Sequence, residues 1–427
     1  MIYIGLFFLF LIIGFPICFV IGLIPFTEML FFGGIPAVIF PQRMIAGSTN
    51  YLLLSIPFFI FAGNLMNTGG ITRRIIDFSK VFVGTIRGGL AMVNIIASMF
   101  FGGISGSSNA DTAAIGSVLI PAMEKDGYDI EFSAGITVTS STIGAIIPPS
   151  ISMVMYAIIT EISIGTLFVA GAIPGILIGI ALIIVTYFIA RKRNYPKFDK
   201  RMTFKESVAA FKESFFALLM PLIILGGILG GVFTPTEAAG VSAVYAIIVG
   251  FFVYKELTVK KLMDAALQSC KLSAIILMIL AMSSILSWVL TLHKIPEIFT
   301  NFMLGVTNTK LVVLLILNVI MLLMGMVLGP ATNLIILTPI FMEVARTYGI
   351  DLTHLGVIMV LNLTIGLITP PVGTCLYTAS AIAKIPLERL LKNSGFILPL
   401  VTVIVVLFLV TYIPGIHSFL PKLLGMY

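Results

Sequence analysis

Apolar residues run through this chain in blocks of helical length separated by short polar and basic segments, which predicts an all-α integral membrane protein. Runs at about 2–24, 50–68, 164–190, 217–232, 236–254, 272–292 and 395–413 read as membrane-spanning helices. Two further runs, about 132–160 and 353–384, are long enough to cross but each carries a double proline, Pro148-Pro149 and Pro370-Pro371. From Phe101 to Pro121 the pattern breaks differently: Gly102, Gly103, Ser105, Gly106, Ser107, Ser108, Asn109 and Asp111 stand where lipid length demands hydrocarbon. Such polar groups go unsatisfied in lipid, so the break belongs inside protein. Its flanking apolar arms, about 15–18 residues each, are too short for a comfortable span. The segment at about 87–123 therefore reads as a re-entrant hairpin with a polar tip, and a second hairpin is expected at about 310–349. Segments 203–216 and 257–270 alternate at helical spacing and read as separate interfacial helices.

Charge sets the orientation. Arg191, Lys192, Arg193, Lys197, Lys200, Arg201 and Lys205 crowd one segment opposed only by Asp199, which places it in the cytoplasm. Counting spans from that segment puts the N-terminus inside, the C-terminus in the periplasm, and the two hairpins on opposite faces. The count also lands Arg73, Arg74, Lys80, Lys384, Arg389 and Lys392 inside. The composition, 59% apolar and 10% charged with a mean hydropathy of +1.16, excludes a soluble core of this size. The net charge of +7 lies mostly in short segments between apolar runs, so it reports topology rather than nucleic-acid binding. Cys18, Cys270 and Cys375 are scattered singly, with neither a disulfide nor a metal spacing. The first apolar run lacks a basic leader and a cleavage site and reads as one retained helix.

The two hairpin regions repeat each other. Asn94 and Asn109 have the spacing of Asn318 and Asn333, and Asp129 precedes Pro148 by the interval that separates Asp351 from Pro370. Thr142-Ile143-Gly144 recurs as Thr364-Ile365-Gly366, each glycine four residues before its proline pair. With an odd number of crossings between them, the halves form an inverted repeat. The expected organisation is scaffold helices at 1–86, one transport half at 87–163, scaffold and arms at 164–309, a second transport half at 310–386, and a C-terminal helix and tail at 387–427.

Double proline removes two N–H donors and opens a helix, freeing carbonyls. Alkali cations prefer such oxygens. One oxygen cage is expected from Ser105, Ser107 and Asn109 with carbonyls around Gly144 and Pro148, and a second from Gly329, Thr332 and Asn333 with carbonyls around Gly366 and Pro370. Ser150, Ser152, Thr369 and Thr374 would line a polar chamber between them, with Ser108 and Asp111 on the substrate side of the first tip. Asp111 is a functional residue by its place in mid-membrane; the bland alternative is a helix cap. For Thr139, Ser140 and Ser141 the alternative is close helix packing.

GGISGSSNADTAAIGSVLIPAM, PFFIFAGNLMNTGGI at 57–71 and the two Pro-Pro elements together resemble the large membrane subunit of TRAP (tripartite ATP-independent periplasmic) transporters, over essentially the whole chain and with a similarity to the sialic-acid members. The resemblance implies an elevator-type secondary transporter of the bacterial inner membrane, driven by sodium, with Na+ as coupling ion and no other cofactor. It implies a periplasmic substrate-binding protein and a separate four-helix membrane subunit as partners. It implies a small organic acid, sialic acid or dicarboxylate, as substrate, and sodium sites on the cage residues named above. Few cations are available to meet a carboxylate; a helix N-terminus, a sodium ion or Arg43 would serve. Trp288 reads as an interface anchor or a partner contact.

Other classes stay open. Gly103-Ile104-Ser105-Gly106 matches the GxSG of rhomboid-type intramembrane proteases, although His293, His354 and His417 all fall at helix ends, away from the tip. A stand-alone sodium and organic-anion symporter without a binding protein, or a passive channel, would use the same hairpins.

Overall fold

The computed structural model describes residues 2–32, 36–83, 85–197 and 202–426. Asp199, Lys200 and Arg201 of the basic segment lie outside the described residues. The described chain is helical, with a lone antiparallel bridge between Arg87 and Lys197. Its helices are α1 (Ile2–Ile13), α2 (Ile17–Thr27), α3 (Ile39–Ser48), α4 (Ser55–Thr68), α5 (Ile71–Val83), α6 (Gly89–Ser105), α7 (Ser108–Lys125), α8 (Ile130–Ser140), α9 (Ile151–Thr160) and α10 (Ile164–Lys192). There follow α11 (Phe204–Leu229), α12 (Pro235–Ile248), α13 (Val259–Leu292), α14 (Ile295–Val306), α15 (Lys310–Gly325), α16 (Pro330–Thr347), α17 (Leu352–Gly366), α18 (Thr374–Ala383), α19 (Leu387–Leu391), α20 (Ser394–Tyr412) and α21 (Gly415–Leu423). Six helical segments have the length and composition to cross a membrane: Tyr51–Thr68, Ile164–Lys192, Phe204–Leu229, Pro235–Val253, Val259–Leu292 and Ser394–Tyr412.

Three expectations are corrected. The run 2–24 is two helices, α1 and α2, because Gly14 takes a positive φ of 93° and Pro16, which has no N–H to continue the ladder of α1, stands as the N-cap of α2. Segment 203–216 is no separate interfacial helix; it is the first half of α11, started by a Thr203–Glu206 capping box and continuous to Leu229 through Pro221. Likewise 257–270 runs unbroken into the next span as α13, since no glycine or proline lies between Val259 and Leu292. The basic segment carrying Arg73, Arg74 and Lys80 is a helix, α5, which buries Ile71, Ile75, Ile76 and Phe78. Arg74 anchors it by pairing with Glu256 at 2.7 Å and lying 3.9 Å from the Tyr254 ring centroid.

Packing forms two groups. Helices α2, α3, α4, α12 and α13 pack on one another. The two hairpins, α6–α7 and α15–α16, pack against the interrupted pairs α8–α9 and α17–α18. The contacts cross over: α7 lies on α18 and α16 lies on α9, so each hairpin's outgoing helix meets the far half of the other interrupted pair.

Candidate ion and substrate site

Both interruptions fall at the double prolines. After α8 the chain makes one 3-10 turn, Ser141–Ala145, and resumes as α9 at Ile151; α17 stops at Gly366 and α18 starts at Thr374. Ser150 caps α9, accepting from Met153 N at 3.2 Å and donating to the Ala145 carbonyl at 2.5 Å. Thr369 Oγ1 donates to the Ile365 carbonyl at 2.7 Å. Glycines let each hairpin approach its break. A Cβ on Gly102 would stand 3.0 Å from Gly144 Cα, and one on Gly366 would stand 2.6 Å from Gly325 Cα. Backbone therefore packs on backbone in both halves.

Above these contacts an asparagine ties hairpin to interrupted helix in each half. Asn94 Oδ1 accepts from Ser140 Oγ at 3.1 Å, and its Nδ2 donates to Thr137 Oγ1 at 2.7 Å. Asn318 Oδ1 accepts from Asn362 Nδ2 at 2.7 Å. Ser140 accordingly acts in helix packing, while Thr139 and Ser141 donate back to the carbonyls of Gly135 and Val138. The ends of the interrupted helices correspond as well. Phe132 packs on Tyr195 with ring centroids 4.9 Å apart and planes tilted by 37°, and His354 stacks with His417 at 4.2 Å.

At the first tip Ser105, buried, accepts from Ser107 N at 3.5 Å, and Ser107 caps α7 by accepting from Ala110 N at 3.5 Å. Asp111 is thus not the cap. Its carboxylate is fully buried beside Gly144, whose added Cβ would stand 3.6 Å from Oδ2, and both carboxylate oxygens lack a hydrogen-bond partner. Ser108 Oγ, one turn earlier, is buried and unpartnered too. Asn109 is exposed, and its Oδ1 accepts from Thr374 Oγ1 at 2.9 Å and Cys375 Sγ at 3.1 Å, joining the first tip to the second interruption. Ser152 is half-buried at the start of α9.

At the second tip Gly329 is the N-cap of α16, and Asn333 closes the loop by donating to the Met324 carbonyl at 3.1 Å and the Leu328 carbonyl at 2.9 Å. Thr332 is buried beside it. The side-chain oxygens of Asn333 and Asn362 are buried with no donor reaching them. Asn362 and Cys375 escape the sequence reading, although a lone amide in the apolar run Leu355–Leu363 is a legible signal.

Apart from the Ser108 hydroxyl, the orphaned oxygens of these two regions are two of the Asp111 carboxyl, both acceptors once it is ionised, and two of amide. An alkali cation brings no lone pairs and takes such oxygens as ligands, so the donor set fits one. No histidine is among the partners of Ser105: His293 pairs with Glu28 at 2.9 Å, and His354 bonds the Val410 carbonyl at 3.0 Å.

Residues 4–416 match the family described as tripartite ATP-independent periplasmic transporter, DctM component. The chain belongs to this family. Its DctM relatives include the C4-dicarboxylate TRAP transporter large permease protein of Pseudomonas aeruginosa, 43% identical over 385 residues that cover 90% of this chain and 89% of the relative. The sialic acid TRAP transporter large permease protein of Vibrio cholerae is 40% identical over 386 residues, covering 90% and 89%. The isethionate TRAP transporter permease protein DctMQ of Oleidesulfovibrio alaskensis is 38% identical over 416 residues, 97% of this chain but 65% of that longer protein. In three dimensions the chain resembles the YdaH transporter of Alcanivorax borkumensis, with a TM-score of 0.65 over 97% of this chain and 98% of the other at 12% identity, a likeness of fold. It is a multi-pass membrane transporter of the TRAP large-permease type.

Proposed function

We propose that this subunit imports a small organic acid, a C4-dicarboxylate or a sialic acid, by sodium symport across the bacterial inner membrane. The substrate arrives on a periplasmic binding protein, and a small membrane subunit, a separate chain, packs beside this one. The reading rests on one observation: two hairpin tips meet two opened helices, and buried side-chain oxygens of Asp111 and Asn333 are left without donors in the first turns of α7 and α16, beside those meetings. The halves are taken as an inverted repeat entering from opposite faces, with both termini oriented as the positive residues dictate. The hairpins and interrupted helices move as one body against the α2–α4, α12, α13 group in an elevator motion.

Asp111 is assigned to the cation. A carboxylate about 4 Å from a substrate carboxylate would repel it by about 4 kcal/mol at an effective dielectric of about 20, whereas a cation at the same place offsets the cost of burying the charge. Ser105, Ser107, Asn109 and the carbonyls near Gly144 and Pro148 complete the first sodium site. Gly329, Thr332, Asn333 and carbonyls near Gly366 and Pro370, joined by Asn362, form the second. Ser150 and Thr369 spend their hydroxyl protons on backbone carbonyls. Thr374 likewise donates to Asn109, so substrate contacts are assigned chiefly to Ser152 and to the N-terminal ends of α9 and α18, whose partial positive charge favours an anion. Sodium coupling lets each cation lower the charge cost of the anion that follows.

The test is uptake of succinate and N-acetylneuraminate into proteoliposomes holding both membrane subunits and supplied with the binding protein. Uptake is expected to collapse when the sodium gradient is removed. Equal uptake without sodium, or without the binding protein, would refute the corresponding part.

A further inference from the structure

Arg43 and Trp288 are the two residues that the paired tips leave unused, and the fold brings them together. Helices α3 and α13 cross where Gly47 meets Ser284, a contact too close to admit a side chain on Gly47. Arg43 lies one turn before Gly47 and Trp288 one turn after Ser284, so the crossing sets the guanidinium over the indole, 5.8 Å from the ring centroid. Arg43 has no carboxylate partner among the described residues. The pair faces a cavity of about 410 Å³ whose walls come from both packing groups, α3 and α13 on one side, the end of α9 and the middle of α16 on the other.

The lining is polar in a particular way. Ser284 and Ser287 line it with hydroxyls that make no hydrogen bond to another described residue, and Pro339, lacking an N–H, leaves the Ile335 carbonyl without its helical donor. An adjoining cavity of about 350 Å³ shares Ile159, Ser287, Thr291 and Pro339 but holds Glu297 and Glu343 against Lys294, 3.9 Å from Glu297. An anion entering this side meets net negative charge in the second cavity and an unpaired guanidinium in the first.

We propose that the Arg43 cavity is a docking site for the carboxylate of the transported acid, outside the paired tips. The proposal rests on the transport reading above and names the group that first receives the substrate. The guanidinium lines the cavity 5.8 Å from the indole centroid, and its planar fork of N–H donors, with no carboxylate of the described chain to meet, suits a two-point carboxylate contact. Ser284 and Ser287 take the substrate's other oxygens. The wall from α9 and α16 belongs to the moving body, so docking there couples arrival of the acid to that body's position.

Trp288 is the only tryptophan of the chain, which gives a direct readout. The purified full-length chain in detergent is titrated with succinate, N-acetylneuraminate and, as a neutral control, succinamide. Saturable change of Trp288 emission with at least one acid, absent with succinamide and lost in Arg43→Gln, is expected. In sodium-driven proteoliposome uptake, Arg43→Gln should raise KM about tenfold with the maximal rate within about twofold, and Arg43→Lys should recover part of the loss. Emission indifferent to both acids up to the millimolar range, or an unchanged KM in Arg43→Gln, overturns the proposal while sodium-dependent uptake by the native chain leaves the transport reading standing. Loss of sodium dependence with the fluorescence response intact does the reverse.

Discussion

The first hairpin leaves its tip through Ser107 and Ser108 and places a carboxylate one turn later; the second leaves through Gly329 and Pro330 and places an isoleucine there. Asn109 and Asn333 fix the register, so Asp111 of one half answers to Ile335 of the other. The frames agree in the glycine contacts, the asparagine ties and the ring pairs at the helix ends. What differs is charge. The first site carries a buried acid beside Gly144, and the second offers amide, hydroxyl and backbone oxygens but no carboxylate. On the proposed function, a shared frame with unequal chemistry implies unequal tasks: the first half would discriminate by charge, the second by shape and oxygen placement. The helix starts differ in the same sense. Asp129 is held by Arg193 at 2.6 Å and Tyr195 at 2.5 Å, a permanent cation and a phenol, whereas Asp351 lies 4.0 Å from His417.

The comparison breaks most sharply at Asp111. Asp111→Asn should reduce sodium-driven uptake about 100-fold while leaving the folded protein as stable or more so, because a buried unpaired charge is removed; a sodium-dependent rise in Tm should vanish with it. Uptake near normal in Asp111→Asn would mean that the two halves do not divide the task by charge. Next in size, Asn333→Ala frees the Met324 and Leu328 carbonyls at the second tip and should lower stability by about 1–3 kcal/mol, with uptake down about tenfold. Asn109→Ala loses contacts only to Thr374 and Cys375 and should be milder in thermal unfolding.

Glycine substitutions sharpen the frame itself. Gly366→Ala drives a methyl into Gly325 backbone, whereas Gly144→Ala meets Asp111 Cβ at 3.3 Å. The former should cost about 1–3 kcal/mol or more by overpacking and the latter less, read as yield of folded protein and Tm. The smallest effect is in pH. His417 sits in α21, past the last span, and burial together with the neighbouring His354 pushes its pKa down to about 4, with Asp351 and Lys422 as the other charges facing it. An unfolded chain binds that proton near pH 6.5, so the unfolded state gains stability as pH falls from about 6.5 towards 4, and Tm should drop by about 1–3 °C through that window. His417→Tyr, which copies the Tyr195 arrangement of the first half, should flatten the profile.

Much of this was legible in residue order. The hairpin tips, the double prolines and the shared spacing of Asn94, Asn109, Asn318 and Asn333 are local facts: polar residues at lipid depth and missing N–H donors act through the chain's own backbone. The helix bounds show the limit of that reading. A charged, alternating segment such as 203–216 looks interfacial by itself, yet with a capping box before it the helix runs on past Pro221 to Leu229. In α1 and α2 the reverse occurred, and Gly14 with Pro16 divided a run that hydropathy alone joins.

By itself the sequence determined that the chain is a many-helix membrane protein with two related hairpins, because hydrophobic length and proline chemistry need no partner to act. Only the tertiary structure decided that Asn109 reaches Thr374 in the other half, that Asp111 lies against Gly144 without a donor, and that Arg43 covers Trp288. Those relations join residues far apart in sequence, and they depend on which helices cross and how closely their glycines let them approach.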